Sequence, residues 1–201
     1  MAVDAVARAV GALRAGGAVL LPADGVYGLC ADARSEDAVR ALYELKGREA
    51  SRPTAVLAAS IEELLEFVPE LRGRAEAIAR ALLPGPYTLV LPNPARRHPW
   101  LNGASPEAIG VRVAELPAGT RRVLAELGAV AATSANEPGE PPAAALEAVS
   151  PRIRSACAAE IDAGTLSGEP STVIDFTGEE AIVVREGAGP VAEALAAARL
   201  R

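Results

Sequence analysis

The chain has 201 residues, is half apolar, holds one Trp, three Tyr and two Phe, and carries a net charge of −6. That length suits one sizeable domain with a core of Ala, Val and Leu, and the acidic total confines any nucleic-acid contact to a local patch. Two cysteines (Cys30, Cys157) and one histidine (His98) leave no disulfide framework, no zinc cluster and no Ser-His-Asp chemistry. His98, in the polar stretch NPARRHPW, reads as a solvated loop residue. No apolar run approaches the roughly 18–20 residues of a membrane span, and the mixed-charge N-terminus lacks the layout of a signal peptide. A cytoplasmic protein is expected.

In chain order, Asp4 to Leu13 has helical apolar spacing and stops at Gly16-Gly17. AVLLPAD is a short buried strand, and GVYGLCADA a turn-rich loop. Ser35 caps a helix with Glu36 and Asp37 in its first turn, where they suit the dipole; Val39, Leu42, Tyr43 and Leu45 give its inner face, and it ends near Lys46-Gly47. TAVLAA is the next strand, and Ser60 caps IEELLEFV. Leu71 to Leu83 is a helix, stopped by Pro84-Gly85-Pro86, which turns into the strand YTLVLP. IGVRV is a strand, RRVLAEL a helix, and AVAATSAN a strand running into a Pro/Gly-rich loop. PAAALEAV is a short helix and AAEID a strand. STVIDF and AIVVRE form a hairpin across TGEE, and VAEALAAARLR is a closing helix. Crossover and hairpin connections together predict an α/β fold with a twisted mixed sheet, read as one domain over 1–201.

Four polar clusters interrupt these elements. KGREASRP puts Lys46, Arg48 and Arg52 after a helix; it suits an anion, or is a solvated basic helix end. Lys46 is the only lysine among 20 basic residues. In IGVRV, alternation sets Arg112 on the face opposite Val111 and Val113. TSAN, at a strand's end, offers small polar groups to a ligand or makes an ordinary turn. Ser171 starts one hairpin strand and Arg185 ends the other, so both fall near one end. Neither a Walker A sequence nor a G-x-G-x-x-G is present, so phosphate binding would rest on side-chain cations.

In this order the clusters resemble the YrdC family of threonylcarbamoyl-AMP synthases. PADGVYGL is similar to the family's P-T-[DE]-T-x-Y-G-L, Lys46 and Arg48 to its K-x-R, PGPYTLVLP to its PGP-x-T segment, GVRV to its arginine strand, TSANEPGEPP to its S-x-N segment, and STVID with VVREG to its closing hairpin. The resemblance runs from about Ala18 to Gly187 and implies the short form of the family, with a concave positive surface on the sheet. It implies an enzyme that forms threonylcarbamoyl-AMP and diphosphate from L-threonine, bicarbonate and ATP with Mg2+, a nucleotidyltransferase serving a downstream enzyme that modifies tRNA. Carried over by motif, Lys46 and Arg48 would be catalytic. Lys46, Arg48, Arg52, Ser134, Asn136 and Arg185 would hold the nucleotide. Gly25, Tyr27, Arg112, Ala132 and Ser171 would line the substrate pocket, with Arg112 on the amino acid carboxylate.

The departures gather on the amino acid side. Ala23 and Gly25 replace the two threonines of the first motif, Leu57 stands near the usual histidine, Ala108 and Pro142 replace a threonine and a serine, and Arg52 an asparagine. A pocket built to bind a hydroxyl loses selectivity when its partners go. Three readings stay open: the threonine enzyme, a relative using another small amine or amino acid as carbamate acceptor, and a non-catalytic RNA-binding module.

Overall fold

The computed structural model describes residues 2–49 and 51–199. In chain order the elements are α1 (Ala2–Arg14), β1 (Val19–Pro22), β2 (Tyr27–Asp32), α2 (Glu36–Lys46), β3 (Ala55–Ala58), α3 (Ile61–Phe67), α4 (Arg74–Leu82), β4 (Tyr87–Pro92), β5 (Ala108–Arg112), α5 (Ala118–Leu127), β6 (Ala129–Ser134), α6 (Pro151–Ala156), β7 (Ala159–Glu160), β8 (Thr172–Asp175), β9 (Ile182–Arg185) and α7 (Val191–Ala197). The nine strands form one mixed sheet in the order β7-β1-β2-β6-β3-β5-β4-β8-β9. The pairs β1/β7, β3/β5 and β4/β8 are parallel, and the others antiparallel.

Local chemistry sets the helix that leads into the site. Ser35 Oγ accepts the Ala38 N–H at 3.2 Å and starts α2; Gly47, at φ 64°, ends it in the left-handed conformation that glycine adopts without strain. Ala38, Val39, Leu42, Tyr43 and Lys46 form its buried face. Ser60 caps α3 in the same way, through the Glu63 N–H at 3.1 Å. The C-terminal helix read to 201 is described as far as Ala197; Leu200 and Arg201 lie outside the described residues.

The two sheet faces are filled differently. On one, α3, α4 and α7 pack with part of α2 over β3, β4, β5 and β8, around Leu64, Ile78, Leu89, Val111 and Ile174. Beside them α2 and α6 cover β1 and β2 through Leu42, Ile153, Leu20 and Leu29. On the opposite face α1 and α5 cover one part only, with Leu13, Val123 and Leu124 against Val19, Cys30, Leu57 and Val130. The rest of that face is open. Its floor is built of small side chains in register: Cys30 opposite Ala132, Ala132 opposite Ala55, Val90 opposite Gly110 and Asp175. Gly110 lies beside Ala55, where an added Cβ would stand 3.5 Å from the Ala55 Cα.

Four expectations need correction. GVYGLCADA is not a loop: Tyr27–Asp32 is β2, paired on both sides by β1 and β6. Its Gly, Cys and Ala have little strand preference, but small residues let helices approach the sheet. PAAALEAV forms only a 3₁₀ turn at Leu146–Ala148, and the helix follows at Pro151–Ala156, capped by Ser150. The helix read from Leu71 begins at Arg74, after Gly73 at φ 56°. His98 is not solvated: its ring stacks on Phe67 with centroids 4.1 Å apart and meets Trp100 edge-on at 5.4 Å. Burial lowers its pKa, and its Nε2 lies 3.4 Å from the Phe67 carbonyl oxygen.

Candidate functional site

The open part of the second face forms a cavity of about 460 Å³, within the range of small-molecule sites. Its floor comes from β2, β3, β4, β5, β6 and β8, and its polar rim from Arg48, Thr54, Thr88, Asn102, Arg112, Thr133, Ser134, Ser171 and Arg185. A groove of about 580 Å³ on the α2 side, between Tyr43, Glu44 and Trp100, shares only Arg48 with it. That groove is edged by the Arg40–Glu36 ion pair and gathers few converging polar groups.

Arg112 projects from β5 into the cavity, as alternation requires, while Val111 and Val113 are buried. Its Nη2 donates to Asp24 Oδ1 at 2.5 Å, with side chains only 12% and 16% exposed. Asp24 is the acid of PADGVYGL. Its partnership with Arg112 was missed in the sequence, because nothing local links residues 88 positions apart. Across the floor Arg185 Nη2 donates to the Ser171 carbonyl at 2.6 Å and reaches Ser171 Oγ at 3.3 Å. Ser171 Oγ also pairs with Thr88 Oγ1 at 2.8 Å. The hairpin therefore brings Ser171 and Arg185 to one end. The Arg185 pKa is lowered, first by burial and then by repulsion from Arg112, which marks a field that favours anions.

Arg48 bridges two elements: Nη1 reaches Thr133 Oγ1 at 3.2 Å and Nη2 the Pro53 carbonyl at 2.6 Å. Burial lowers its pKa too. Lys46 behaves differently from its neighbour. It is 5% exposed and does not line the cavity. Its ammonium donates to the Ser134 carbonyl at 2.6 Å, to Asn136 Oδ1 at 2.8 Å and to the Asn136 carbonyl. Three acceptors satisfy all three N–H donors. Burial, then the nearby Arg48 charge, lowers the Lys46 pKa to about 8. Lys46 thus ties the end of α2 to the end of β6, which sets Ser134 on the cavity rim; Asn136 turns away, its amide donating to the Glu137 and Glu140 carbonyls.

The remaining expected site residues divide. Ala132 lies on the floor. Tyr27 turns to the other face: its ring is buried, and its Oη lies 2.9 Å from both Asp162 Oδ1 and the Gly164 carbonyl. Gly25 is buried under the 161–170 segment, where an added Cβ would stand 2.0 Å from the Glu169 carbonyl oxygen. Arg52 is exposed and off the cavity, although its charge contributes to lowering the Arg48 pKa. Cys30 is on the floor, but burial pushes its thiol up to about 12, so it offers no thiolate at neutral pH. Thr54 and Asn102 are polar rim residues that were not anticipated; they come from separate segments, and only folding gathers them.

Comparison with known proteins follows the same outline. The Sua5/YciO/YrdC family model, described as "Telomere recombination", matches residues 11–187. The threonylcarbamoyl-AMP synthase of Pyrococcus abyssi is 34% identical over 186 residues, 92% of this chain and 54% of that protein. A putative threonylcarbamoyl-AMP synthase of Mycobacterium tuberculosis is 34% identical over 183 residues, 90% of this chain and 83% of that protein. The crystal structure of P. abyssi Sua5 complexed with L-threonine shares the fold with a TM-score of 0.82 at 34% identity, over 96% of this chain and 56% of that one. The chain spans about half the length of the P. abyssi relative. With its cavity, its rim of arginines and its motif order all held on this sheet, the chain belongs to the Sua5/YciO/YrdC family.

Proposed function

We propose that the chain is an L-threonylcarbamoyladenylate synthase, a nucleotidyltransferase that joins L-threonine, bicarbonate and ATP into threonylcarbamoyl-AMP, with diphosphate and water released. The observation that carries this reading is the set of Arg48, Arg112 and Arg185 around one cavity, with the Nε–H of Arg112 buried and without an acceptor. Fixed guanidinium groups suit a substrate carboxylate and phosphate oxygens. The relatives' activity and the bound L-threonine of the P. abyssi structure point to the same substrates.

In this mechanism the threonine amine takes up bicarbonate as a carbamate. A carbamate oxygen then forms a bond to the α-phosphorus of ATP, and the bond from that phosphorus to the α,β-bridging oxygen breaks, so that this oxygen leaves with diphosphate. Arg112 would receive the threonine carboxylate, sharing its fork with Asp24. Arg48 and Arg185 would offset the charge that builds on the phosphate oxygens. Lys46 would act mainly by holding the 134–136 turn, and Ser134 would meet the nucleotide. Among the described residues no group of three or more His, Cys, Asp or Glu could hold a metal ion. Mg2+ would arrive on the triphosphate and be held chiefly by its oxygens. The product would pass to a downstream enzyme that modifies tRNA in the cytoplasm; among the described residues no helix is long and apolar enough to cross a membrane.

The test is diphosphate release from ATP, Mg2+ and bicarbonate with and without L-threonine, with the adduct identified by mass spectrometry. Threonine-dependent release is expected. A second reading, with another carbamate acceptor, is favoured by the apolar residues Ala23, Leu57, Ala108 and Pro142 on the cavity wall. Release with a different amino acid and none with threonine would select it.

A further inference from the structure

Among the described residues six buried side-chain polar atoms lack a hydrogen-bond partner, and four of them belong to residues of the cavity wall: Arg48 Nε, Thr54 Oγ1, Asn102 Oδ1 and Arg112 Nε. An unmet buried polar group costs about 1–3 kcal/mol, so four in one wall call for a ligand. The Arg112 atom belongs to the carboxylate position described above. The other three form a separate group around β3.

Thr54 and Asn102 come from different segments but are held side by side. The Thr54 N–H donates to the Leu101 carbonyl at 2.9 Å, and the Ala104 N–H to the Ser51 carbonyl at 2.9 Å. Gly103, at φ +59°, lets the two segments close: a Cβ there would stand 2.3 Å from the Ser51 carbonyl oxygen. Thr54 is 3% exposed and Asn102 1%. The Asn102 amide donates through Nδ2 to the Arg97 carbonyl at 2.9 Å, which fixes Oδ1 as the end left without a partner. Arg48 Nη2 donates to the carbonyl of Pro53, the residue before Thr54, at 2.6 Å.

We infer that Thr54, Asn102 and the Arg48 Nε–H form a polar subsite for the side chain of an amino acid substrate, taking a neutral group that both donates and accepts a hydrogen bond: a hydroxyl or a carboxamide. Asn102 Oδ1 needs a donor, the Arg48 Nε–H needs an acceptor, and the Thr54 hydroxyl serves as either. A phosphate or carboxylate has acceptors only and would face the Asn102 oxygen lone pairs unmet. The subsite also explains how the pocket tolerates Leu57 and Ala108. Hydrogen-bonding capacity absent at those wall positions is present at Thr54, three residues before Leu57, and at Asn102, six before Ala108. Both atoms are closed from solvent, so binding requires a rotation of Thr54 or a small retreat of the Arg48 fork.

This inference rests on the proposed activity, and the experiment separates the two. Calorimetry of the full chain, with a non-hydrolysable ATP analogue present, compares L-threonine, L-serine and L-asparagine with L-2-aminobutyrate and L-valine. At least one of the first three should bind about tenfold tighter than the last two. Thr54→Ser should keep that preference, while Thr54→Val, or Thr54→Ala if the valine variant melts early, should bring it within about threefold. A preference that survives Thr54→Val and Thr54→Ala, or one absent from the wild type, overturns the subsite. Diphosphate release reports separately on the synthase. Threonine-dependent release with a Thr54-independent preference keeps the enzyme and removes the subsite. A Thr54-dependent preference without release keeps the subsite and removes the enzyme.

Discussion

Lys46 places its ammonium among the Ser134 carbonyl, the Asn136 carbonyl and Asn136 Oδ1, in a setting 5% exposed. A guanidinium is planar and cannot point three donors into so small a cage. This gives a physical reason for one lysine in a chain otherwise rich in arginine. Lys46→Arg should therefore lose activity, and a fully active variant would refute that reason. Lys46→Ala should lower the rate roughly 10²–10³-fold, as for one lost transition-state contact, here through a displaced Ser134. The lowered pKa adds a signature. Between about 8, the folded value, and 10.5, the unfolded one, the unfolded chain binds more protons. This group's share of stability then rises with pH across that window, against Arg48, Arg152 and Glu137 as its charged neighbours. Urea titrations should show wild type gaining on Lys46→Met as pH goes from 8 to 10, whereas a constant gap would mean that Lys46 titrates normally. Arg112→Gln makes a complementary case: on the proposed function, which sets the amino acid carboxylate at Arg112 beside Asp24, it should raise KM for the amino acid far more than KM for ATP.

The 161–170 segment has no regular structure, yet it is tied down at several points as it passes from β7 to β8. Tyr27 Oη accepts the Ala163 N–H at 3.0 Å and lies 2.9 Å from Asp162 Oδ1; Leu166 N–H reaches the Ala144 carbonyl and Gly168 N–H the Gly25 carbonyl. Tyr27→Phe removes the Oη and leaves the Ala163 N–H and Asp162 without it. It should cost about 1–3 kcal/mol and speed amide exchange across 162–168; unchanged protection there would show that the segment is held by its other contacts. Tyr27 would then serve the site by fixing this wall and not by touching substrate. Gly25→Ala should disturb the same segment, because its Cβ meets backbone at Glu169, not a movable side chain. These ties were not legible in the sequence, since a buried tyrosine reads the same wherever its hydroxyl ends. Helix caps were legible: Ser35 and Ser60 each sit before an apolar-periodic run and each bonds the third N–H ahead. Strand β2 was not, because YGLCAD has glycine, alanine and cysteine where strand propensity asks for branched side chains, and its pairing with β6 involves residues about 100 positions away.

Over the whole molecule, the acidic total and the arginine-rich cavity pull in different directions. Several surface arginines are matched by carboxylates: Arg40 with Glu36, Arg80 with Glu76, Arg97 with Glu70, Arg152 with Glu137 and Arg154 with Glu160. Among the described residues the cavity's Arg48 has no carboxylate partner and Arg185 bonds the neutral Ser171, while Arg112 pairs with Asp24, so two of the three cavity arginines keep their charge without a paired acid. The sequence showed the net charge and the motif arginines, but not this sorting, which depends on which glutamates fold beside which arginines. It decides between a small-molecule site and an RNA surface. Single-stranded RNA bound through the three cavity arginines alone would release few counterions, giving a slope of log K against log salt no steeper than about −2, from −0.7 per neutralised phosphate. With a net charge of −6 opposing approach, RNA affinity near 0.15 M salt should then be too weak to measure, while ATP and L-threonine, each at about a hundred times its Kd, should each stabilise the fold by about 2.7 kcal/mol. Thermal melts and a fluorescence-anisotropy salt series check the pair. Tight RNA binding with a slope well beyond −2 would place phosphates on a surface outside the cavity and restore the RNA-binding reading; a ligand-raised melting temperature without RNA binding would leave the cavity as the place where this chain meets phosphate.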